Sequence, residues 1–319
     1  SENHNLNTGD VMVKKFSKEE WEKIWNELKD NQKAYGLPDI THGSAVLGSF
    51  NIRKLGYAGK RDKNIWEFLA YICRRFDLIA IQEVLDDLSG VKKLLSLMGP
   101  DFKLACSDTT GVFPGDATTG ERLTFIYNSK TIEKTEIATD VTYDRTKALE
   151  ILAKNHDSII PELIKLIDYY DKLSNYVGDG SKPKKQKIKL PVFLNFIRQP
   201  LCVSFSLKGH PEKEPYEFMA INAHLYFGNY ITDRRQEFDA LMDWILSRLK
   251  FSKKVYYPNF ILLGDLNLDF DNPDTDRARI NKHLKTFDNA AGDETRVYFP
   301  FLDKHPVSKK MLRTNARLS

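Results

Sequence analysis

Cysteine is scarce in this chain of 319 residues, with three copies at scattered positions. This odd and widely spaced set excludes a disulfide scaffold and a zinc site built from clustered thiolates. Cys73 and Cys202 lie among apolar neighbours. Both are therefore predicted to be buried and to act as small hydrophobic residues.

Long apolar runs are also missing, and none approaches the roughly 20 residues that a membrane-spanning helix needs. The first residues are polar and contain neither an initiator Met nor the apolar core of a signal peptide. This predicts a processed or engineered start and leaves the compartment open. A composition of 41% hydrophobic and 29% charged residues is typical of a soluble globular protein with a sizeable core.

Strong charge of one sign is absent, because 48 basic residues face 44 acidic ones and the net charge is +4. This balance permits an anionic partner but does not require one. A basic loop stands out, and two interpretations of it stay open: a solvated loop, which we favour, and a contact with a phosphate backbone. Its lysines are Lys182, Lys184, Lys185, Lys187 and Lys189.

Residues 1–42 are predicted to form a helical extension packed on a domain. Ser17 and Glu20 have the spacing of a capping box, and large apolar residues then repeat at helical spacing. From residue 43 to 319 apolar strands alternate with helices, which predicts one α/β domain. Between about 145 and 190 the pattern becomes helical and predicts an insertion. The helical repeat of the extension consists of Trp21, Ile24, Trp25 and Leu28.

Polar side chains close four of the apolar strands. A rigid sheet aims the residues at its strand ends toward one place, so ligand sites of layered α/β proteins gather there. The segments are Ser49-Phe50-Asn51-Ile52-Arg53, Ile81-Gln82-Glu83-Val84, Ile221-Asn222-Ala223-His224-Leu225 and Leu263-Gly264-Asp265-Leu266-Asn267, with Arg198-Gln199-Pro200 placed before a further strand.

In order and placement these segments resemble the endonuclease/exonuclease/phosphatase (deoxyribonuclease I-like) superfamily. The resemblance implies an α/β fold in which a sandwich of two sheets is flanked by helices. It also implies a phosphoric ester hydrolase that uses Mg²⁺ or Mn²⁺ and direct attack of water on phosphorus. The chemistry agrees, because an anionic phosphodiester yields to water only with charge neutralisation, an activated nucleophile and support for the leaving oxygen.

The resemblance assigns metal binding to Glu83 and Asn51. A glutamate supplies the hard oxygen ligand that suits Mg²⁺, and an amide contacts metal or phosphate without adding charge. A structural interpretation stays open for each residue. Glu83 would then pair with Arg53 or a helix terminus, and Asn51 would form a turn.

Asp265, Asn267 and His224 complete the predicted catalytic group together with Asn51. Asp265 and Asn267 are two residues apart in an extended segment and therefore point to the same side. Asp265 is predicted to orient or deprotonate the attacking water, and Asn267 to fix the phosphate. His224 is predicted to donate to the phosphate or to protonate the leaving oxygen. A Gly-Asp turn and a structural histidine are the competing interpretations.

Arg198, Asn222 and Tyr226 are predicted to bind substrate. A guanidinium suits a phosphate, although a surface salt bridge is a competing role for Arg198. Asn222 is also interpreted as a supporting hydrogen-bonding residue, and Tyr230 is predicted to line the mouth of the site with Tyr226. Leu123 stands where several relatives carry a substrate-facing Tyr, so that contact is not expected here.

The family's last two elements, a strand bearing an Asp and a Ser-Asp-His motif, have no match after Asp269. The nearest string, Asp303-Lys304-His305-Pro306-Val307, is predicted to be a loop. Three explanations stay open: a piece of a longer enzyme, which we favour, a second chain that supplies the end, or an unusual role for His305. Taken as it stands, the chain is expected to hydrolyse weakly or not at all and to retain some metal or substrate binding.

DNA is the predicted substrate and partner, because of the Arg198 motif and the lysines. One alternative is a phosphatase or phospholipase acting on inositol phosphates or sphingomyelin. The other is a binding module, or truncated inactive fragment, that keeps the fold without catalysis. Protein partners are left open.

Overall fold

The computed structural model describes residues 15–39, 44–109, 120–184, 186, 188, 195–209, 212–226, 231–251, 255–268, 273–288 and 297–298. Two four-stranded sheets dominate this part of the chain, and each contains one parallel pair of strands. The parallel pairs matter for function because they bring strand ends from distant parts of the sequence to one edge.

The first sheet comes from the N-terminal half. Its elements are β1 (Leu47–Leu55), a 3-10 turn (Ala58–Lys60), α2 (Lys63–Cys73), β2 (Leu78–Leu85), α3 (Ser89–Met98), β3 (Phe102–Cys106) and β4 (Glu121–Asn128), preceded by α1 (Lys18–Asp30). The strand order is β1-β2-β4-β3, with β1 parallel to β2 and the other pairs antiparallel. The connection through α2 explains the parallel pair, because a helix returns the chain to the starting edge.

The second sheet repeats this arrangement in reverse. Its elements are β5 (Ile132–Asp140), α4 (Arg145–Lys154), α5 (His156–Ser174), β6 (Leu201–Leu207), β7 (Tyr216–His224), α6 (Ile231–Lys250), β8 (Phe260–Asp265) and α7 (Pro273–Asp288). The order is β5-β6-β7-β8, with β7 parallel to β8. Here α6 makes the crossover between the parallel strands.

The sheets pack face to face, and helices cover their outer faces. The ring of Phe205 contacts those of Phe125 and Phe218 between the sheets, and all three are almost fully buried. On the outer side of the first sheet α2 and α3 enclose a second apolar core, and α6 and α7 enclose a third under the second sheet. The layers run helices, sheet, sheet, helices. The predicted fold class is confirmed.

The N-terminal helix α1 packs on the outside of α2. The Trp25 ring lies 5.6 Å from Phe68 and 5.3 Å from Tyr71, and Trp21 also contacts Phe68. The predicted capping box is present, because Ser17 and Glu20 each accept a hydrogen bond from the other's backbone N–H. The division into extension, insertion and domain remains a prediction, although α4 and α5 supply the helical character expected after residue 145.

Several sequence predictions can be compared directly with the structure. Cys73 and Cys202 are fully buried, as expected. Within the described ranges no helix is long and apolar enough to cross a membrane. Helix α7 was not predicted, although Ile280, Leu284 and Phe287 recur at helical spacing along it.

Candidate active site

The side chains of Asn51, Glu83 and Asp265 come from the ends of three strands and meet at the amide of Asn51. Its Nδ2 donates to Glu83 Oε1 and to Asp265 Oδ2, each at 3.0 Å. Asn51 ends the regular pairing of β1, Glu83 lies near the end of β2, and Asp265 ends β8. The two sheets thus place two carboxylates on one amide, although Asn51 and Asp265 are 214 positions apart.

An irregular backbone orients the side chain of Glu83. Its φ is +59°, and Lys54 on the neighbouring strand has a φ of +51°. The pairing of β1 with β2 shifts register between Asn51 and Leu55, and the Lys54 N–H donates to Glu83 Oε2 at 3.0 Å. Such conformations cost about 1–3 kcal/mol each and persist where the surroundings impose them. Among the described residues Glu83 has these partners and no ion pair with Arg53.

Asp265 and Asn267 lie in a turn after β8, so the extended segment predicted for them is wrong. The Asn267 N–H donates to Asp265 Oδ1 at 3.1 Å, and Asn267 itself has a φ of +46°. Its Nδ2 donates to Leu225 O at 2.8 Å, which ties this turn to the segment after β7. Gly264 makes the approach possible, because a Cβ at its position would lie 2.0 Å from Ala223 O.

His224 ends β7 and is almost buried, with 4% of its surface exposed. Its Nδ1 lies 2.9 Å from Glu121 Oε2 and its Nε2 lies 4.0 Å from Asp265 Oδ2. Because an ionised carboxylate can only accept, the Glu121 contact places a hydrogen on Nδ1. The Nε2 side of the ring then faces the cluster of Asn51, Glu83 and Asp265.

Glu121, at the start of β4, is a site residue that the sequence analysis missed. Besides His224 it binds Arg198, with Nε 2.7 Å from Oε2 and Nη2 3.3 Å from Oε1. Burial raises the pKa of this carboxyl, but the hydrogen bond from His224 and the charge of Arg198 outweigh burial and leave the pKa below its ordinary value. An acidic residue at the start of a strand was the available signal. Leu123, two residues on, is 1% exposed and faces the core.

Arg198 lies inside the site, but Glu121 engages its guanidinium. Its Nη1 is also 3.4 Å from His224 O and 3.5 Å from Leu225 O. The competing salt-bridge interpretation therefore describes an observed contact, although the pair is half-buried rather than on the surface. A phosphate contact by Arg198 remains a prediction.

Asn222 faces the interior between the sheets. Its Oδ1 accepts from Gln82 Nε2 at 2.7 Å, and its Nδ2 donates to Ile81 O at 3.1 Å and Thr124 O at 3.0 Å. Asn222 is 0% exposed, and these contacts use both ends of its amide. The structure thus gives it the supporting role and no surface for a substrate. Tyr226 follows the site, and its backbone N–H donates to Glu237.

The oxygen atoms of Glu83 and Asn51 can be compared with the ligands that a divalent cation requires. Asn51 Oδ1 is buried and has no hydrogen-bond partner, so one amide oxygen beside Glu83 is left for a ligand. Within the described residues no cluster of three or more His, Cys, Asp or Glu could hold a metal. Mg²⁺ keeps several waters and takes one or two carboxylates, so Glu83 with the Asn51 oxygen fits it and does not fit a fully protein-coordinated metal.

Other predicted residues lie outside the described part of the chain. These are Tyr230, Asp269, His305 and the lysines at 185, 187 and 189.

Comparison with known proteins gives two sequence relatives. Deoxyribonuclease-1 of Oryctolagus cuniculus is 25% identical over 233 residues, which cover 72% of this chain and 62% of that protein. Deoxyribonuclease of Thioalkalivibrio sp. (strain K90mix) is 22% identical over 239 residues, or 73% of this chain and 48% of the relative. The chain therefore spans less than two thirds of the length of either.

No protein-family model matches the chain. Among solved structures, an endonuclease/exonuclease/phosphatase family protein from Bacteroides thetaiotaomicron superposes with a TM-score of 0.40 and 14% identity, covering 76% of this chain and 70% of that one. In its ordered motifs, in their meeting at the strand ends of two sheets and in its match to deoxyribonucleases, the chain is similar to the endonuclease/exonuclease/phosphatase superfamily.

Proposed function

We propose that this chain carries the catalytic centre of a divalent-metal-dependent phosphodiesterase that cuts DNA. One observation supports the proposal above all others: Asn51 joins Glu83 to Asp265 beside the Nε2 of His224. These groups cover the three needs of phosphodiester hydrolysis, which are charge neutralisation, water activation and proton delivery.

Glu83 and the Oδ1 of Asn51 would hold Mg²⁺ or Mn²⁺, which supplies charge neutralisation at the phosphate when bound. Asp265 would orient the attacking water and accept its proton, since its carboxylate is held by Asn51 and by the Asn267 N–H. His224 would donate from Nε2 toward the phosphate or the leaving oxygen. Donation from Nε2 requires the doubly protonated ring, and Glu121 fixes the orientation of that ring by accepting from Nδ1.

The surface beside Glu83 supports a polyanionic substrate. Arg53, Lys54 and Lys60 are exposed in the segment that follows Asn51. This segment is anchored at Ala58, whose N–H donates to Ser89 Oγ at 2.9 Å and whose carbonyl accepts from Trp66 Nε1 at 3.0 Å. Fixed cations beside the reacting group neutralise neighbouring phosphates of a nucleic-acid strand and release counterions. Both sequence relatives are named deoxyribonucleases, which agrees with DNA.

The proposal is tested by incubating supercoiled plasmid with a chain of full natural length and Mg²⁺ or Mn²⁺, with and without EDTA. We expect nicking that EDTA abolishes and that Asp265→Asn lowers by at least about 100-fold, the range for loss of a general base. Asp243→Asn is the matched control, because Asp243 is an exposed carboxylate on α6 paired with Lys147. It should nick at the wild-type rate.

Two results would contradict the proposal. Release of phosphate from phosphoinositides without nicking would indicate a phosphatase. Binding of Mg²⁺ with no turnover of either substrate, in a chain of full natural length, would indicate a module that has lost catalysis.

A further inference from the structure

Glu237 is a fully buried carboxylate on α6, with 0% of its surface exposed. Its two oxygens accept from two backbone amides that belong to different segments. Oε1 accepts from the Ile197 N–H and Oε2 from the Tyr226 N–H, each at 2.7 Å. A buried glutamate is rare unless it has strong partners, and both distances are those of charge-assisted hydrogen bonds.

The two segments are the ones that carry Arg198 and His224. Ile197 directly precedes Arg198, and Tyr226 follows His224 by two residues. The same segments touch at the site, since Arg198 donates toward His224 O and Leu225 O. Ile197 and Tyr226 lie outside the strands, whereas His224 is the last residue of β7 and pairs with Asp265 of β8. Sheet pairing therefore holds His224 on the β8 side, and the two Glu237 hydrogen bonds tie its segment to that of Arg198.

A carboxylate is suited to hold both segments at once. It offers two acceptor oxygens about 2.2 Å apart and no hydrogen, so each amide finds an acceptor without a competing donor. A glutamine of the same shape offers one oxygen, and its NH₂ would face the second backbone N–H. One of the two segments would then lose its anchor.

We propose that Glu237 is a positioning residue that holds the Arg198 and His224 segments in register, so that Arg198, Glu121 and His224 form one aligned network. The inference rests on the proposed function and adds to it a residue remote from the substrate. His224 Nε2 has to reach the leaving oxygen, and a displacement of about 1 Å at such a group costs up to about 100-fold in rate. Glu237 would act on the reaction through His224 and Arg198.

The test compares Glu237→Gln with Asp239→Asn in the full chain. Asp239 lies on the same helix and is ion-paired with Arg279 and His283 of α7. Its loss therefore destabilises α6 and α7 without touching either site segment. Both variants are measured for melting temperature and for kcat on two substrates, plasmid DNA and bis(p-nitrophenyl) phosphate.

The two substrates separate positioning from general destabilisation. The sugar alkoxide of DNA needs a proton as it leaves, whereas p-nitrophenolate leaves without one. We expect Glu237→Gln to lower kcat on DNA by about 10- to 100-fold and to change kcat on the activated ester much less. Asp239→Asn should leave both kcat values near wild type even if it lowers the melting temperature as much. Equal losses on both substrates, or equal losses in both variants, would overturn the proposal.

A second measurement keeps the test independent of turnover. If the wild-type protein hydrolyses neither substrate, the proposed function fails, but the position of His224 can still be read from its ring ¹⁵N shifts at a fixed pH. Loss of the Nδ1 to Glu121 hydrogen bond in Glu237→Gln, and not in Asp239→Asn, would support the positioning role. Unchanged ring shifts together with unchanged exchange of the Ile197 and Tyr226 amides would overturn it.

Discussion

At the scale of single residues, Asn51 is the junction of the site, because one amide nitrogen serves two carboxylates from different sheets. Both hydrogens of Nδ2 are used, and the carbonyl oxygen is left without a partner. Without such a donor, Glu83 and Asp265 would face each other as two negative charges in a partly buried place. A cation or an amide has to stand between them.

Replacing Asn51 by Asp should make the fold depend on a cation. The variant adds a third carboxylate and removes both donated hydrogens, so we expect the free energy of unfolding in EDTA to fall by at least about 2 kcal/mol. Mg²⁺ should raise the melting temperature of the variant more than that of wild type, because the ion binds the folded site. Urea denaturation in EDTA measures the free energy of unfolding, and differential scanning fluorimetry with and without Mg²⁺ measures the melting temperatures.

Asn64→Asp is the control for the added charge, since Asn64 is exposed near the start of α2. An equal response to Mg²⁺ in wild type and Asn51→Asp would contradict a cation beside Asn51.

Glu121 makes a second residue-scale prediction, which concerns pH. Its folded pKa lies below the ordinary 4.5, so its ionised form stabilises the folded state above that value, and this stabilisation is lost as pH falls through the folded pKa. Glu121→Gln should therefore cost about 2 kcal/mol at pH 7, typical of a hydrogen bond to a charged group. The cost should shrink steadily below about pH 4.5.

Urea denaturation of both proteins at several pH values from neutral to acid measures this difference. A cost that stays constant into strong acid would show that ionisation of Glu121 does not stabilise the fold.

At the scale of elements, the strand ends in the site are irregular on both sheets. Glu83 and Lys54 take left-handed backbone conformations beside a shift in the pairing of β1 and β2, and Asn267 does the same after β8. The irregularity shifts the register of β1 against β2, and pairing resumes at Leu55 and Val84, at a conformational cost that the sheet cores offset.

Gly264 gives the element-scale prediction. Its φ is +144° and an added Cβ would meet Ala223 O at 2.0 Å, so Gly264→Ala has to push β8 away from β7. We expect a loss of at least about 3 kcal/mol, from backbone strain together with the clash. Gly209→Ala is the control, because its Cβ would have an ordinary contact at 3.8 Å, and it should stay within about 0.5 kcal/mol of wild type.

Chemical denaturation measures both variants. Equal stability of Gly264→Ala and wild type would mean that β7 and β8 tolerate a wider separation than the structure has.

At the scale of the whole molecule, the site exists only when the two sheets are in register with each other. Gln82 from β2 and Asn222 from β7 form a buried polar joint between the sheets, one residue from Glu83 and two from His224. The surrounding core is apolar and does not by itself prevent the sheets from sliding. A hydrogen-bonded pair with a fixed geometry prevents this sliding.

Asn222→Leu tests this joint. The apolar replacement leaves Gln82 and two backbone carbonyls without their partner, and we expect the free energy of unfolding to fall by about 3 kcal/mol. Plasmid nicking should also fall, because the joint no longer fixes the position of Glu83 on β2 relative to His224 on β7. Met219→Leu, a conservative change of a 6% exposed residue on the same strand, should cost less than about 1.5 kcal/mol.

Urea unfolding and plasmid nicking report the two effects. If Asn222→Leu resembles Met219→Leu in both, the apolar core alone aligns the sheets.

The sequence by itself determined the local elements and the order of the motifs. Apolar runs such as Leu78–Ile81 and helical repeats such as that of α1 follow from residue spacing, so their positions were predicted. The fold class followed from the order of the strand-end motifs, through resemblance. The meeting of Asn51, Glu83 and Asp265 was proposed in the same way, and their catalytic roles remain predictions.

The tertiary structure decided which residues pair across the molecule. Glu121 becomes a partner of His224 only when β4 and β7 face each other, and Asn222 becomes a joint only when β7 packs on β2. Arg198 and Glu237 likewise acquire their partners from segments distant in sequence. Residue spacing reports contacts along one element, whereas these contacts depend on how separate elements pack. The physical reason is that helical and strand periodicity carry no information about the register between two sheets.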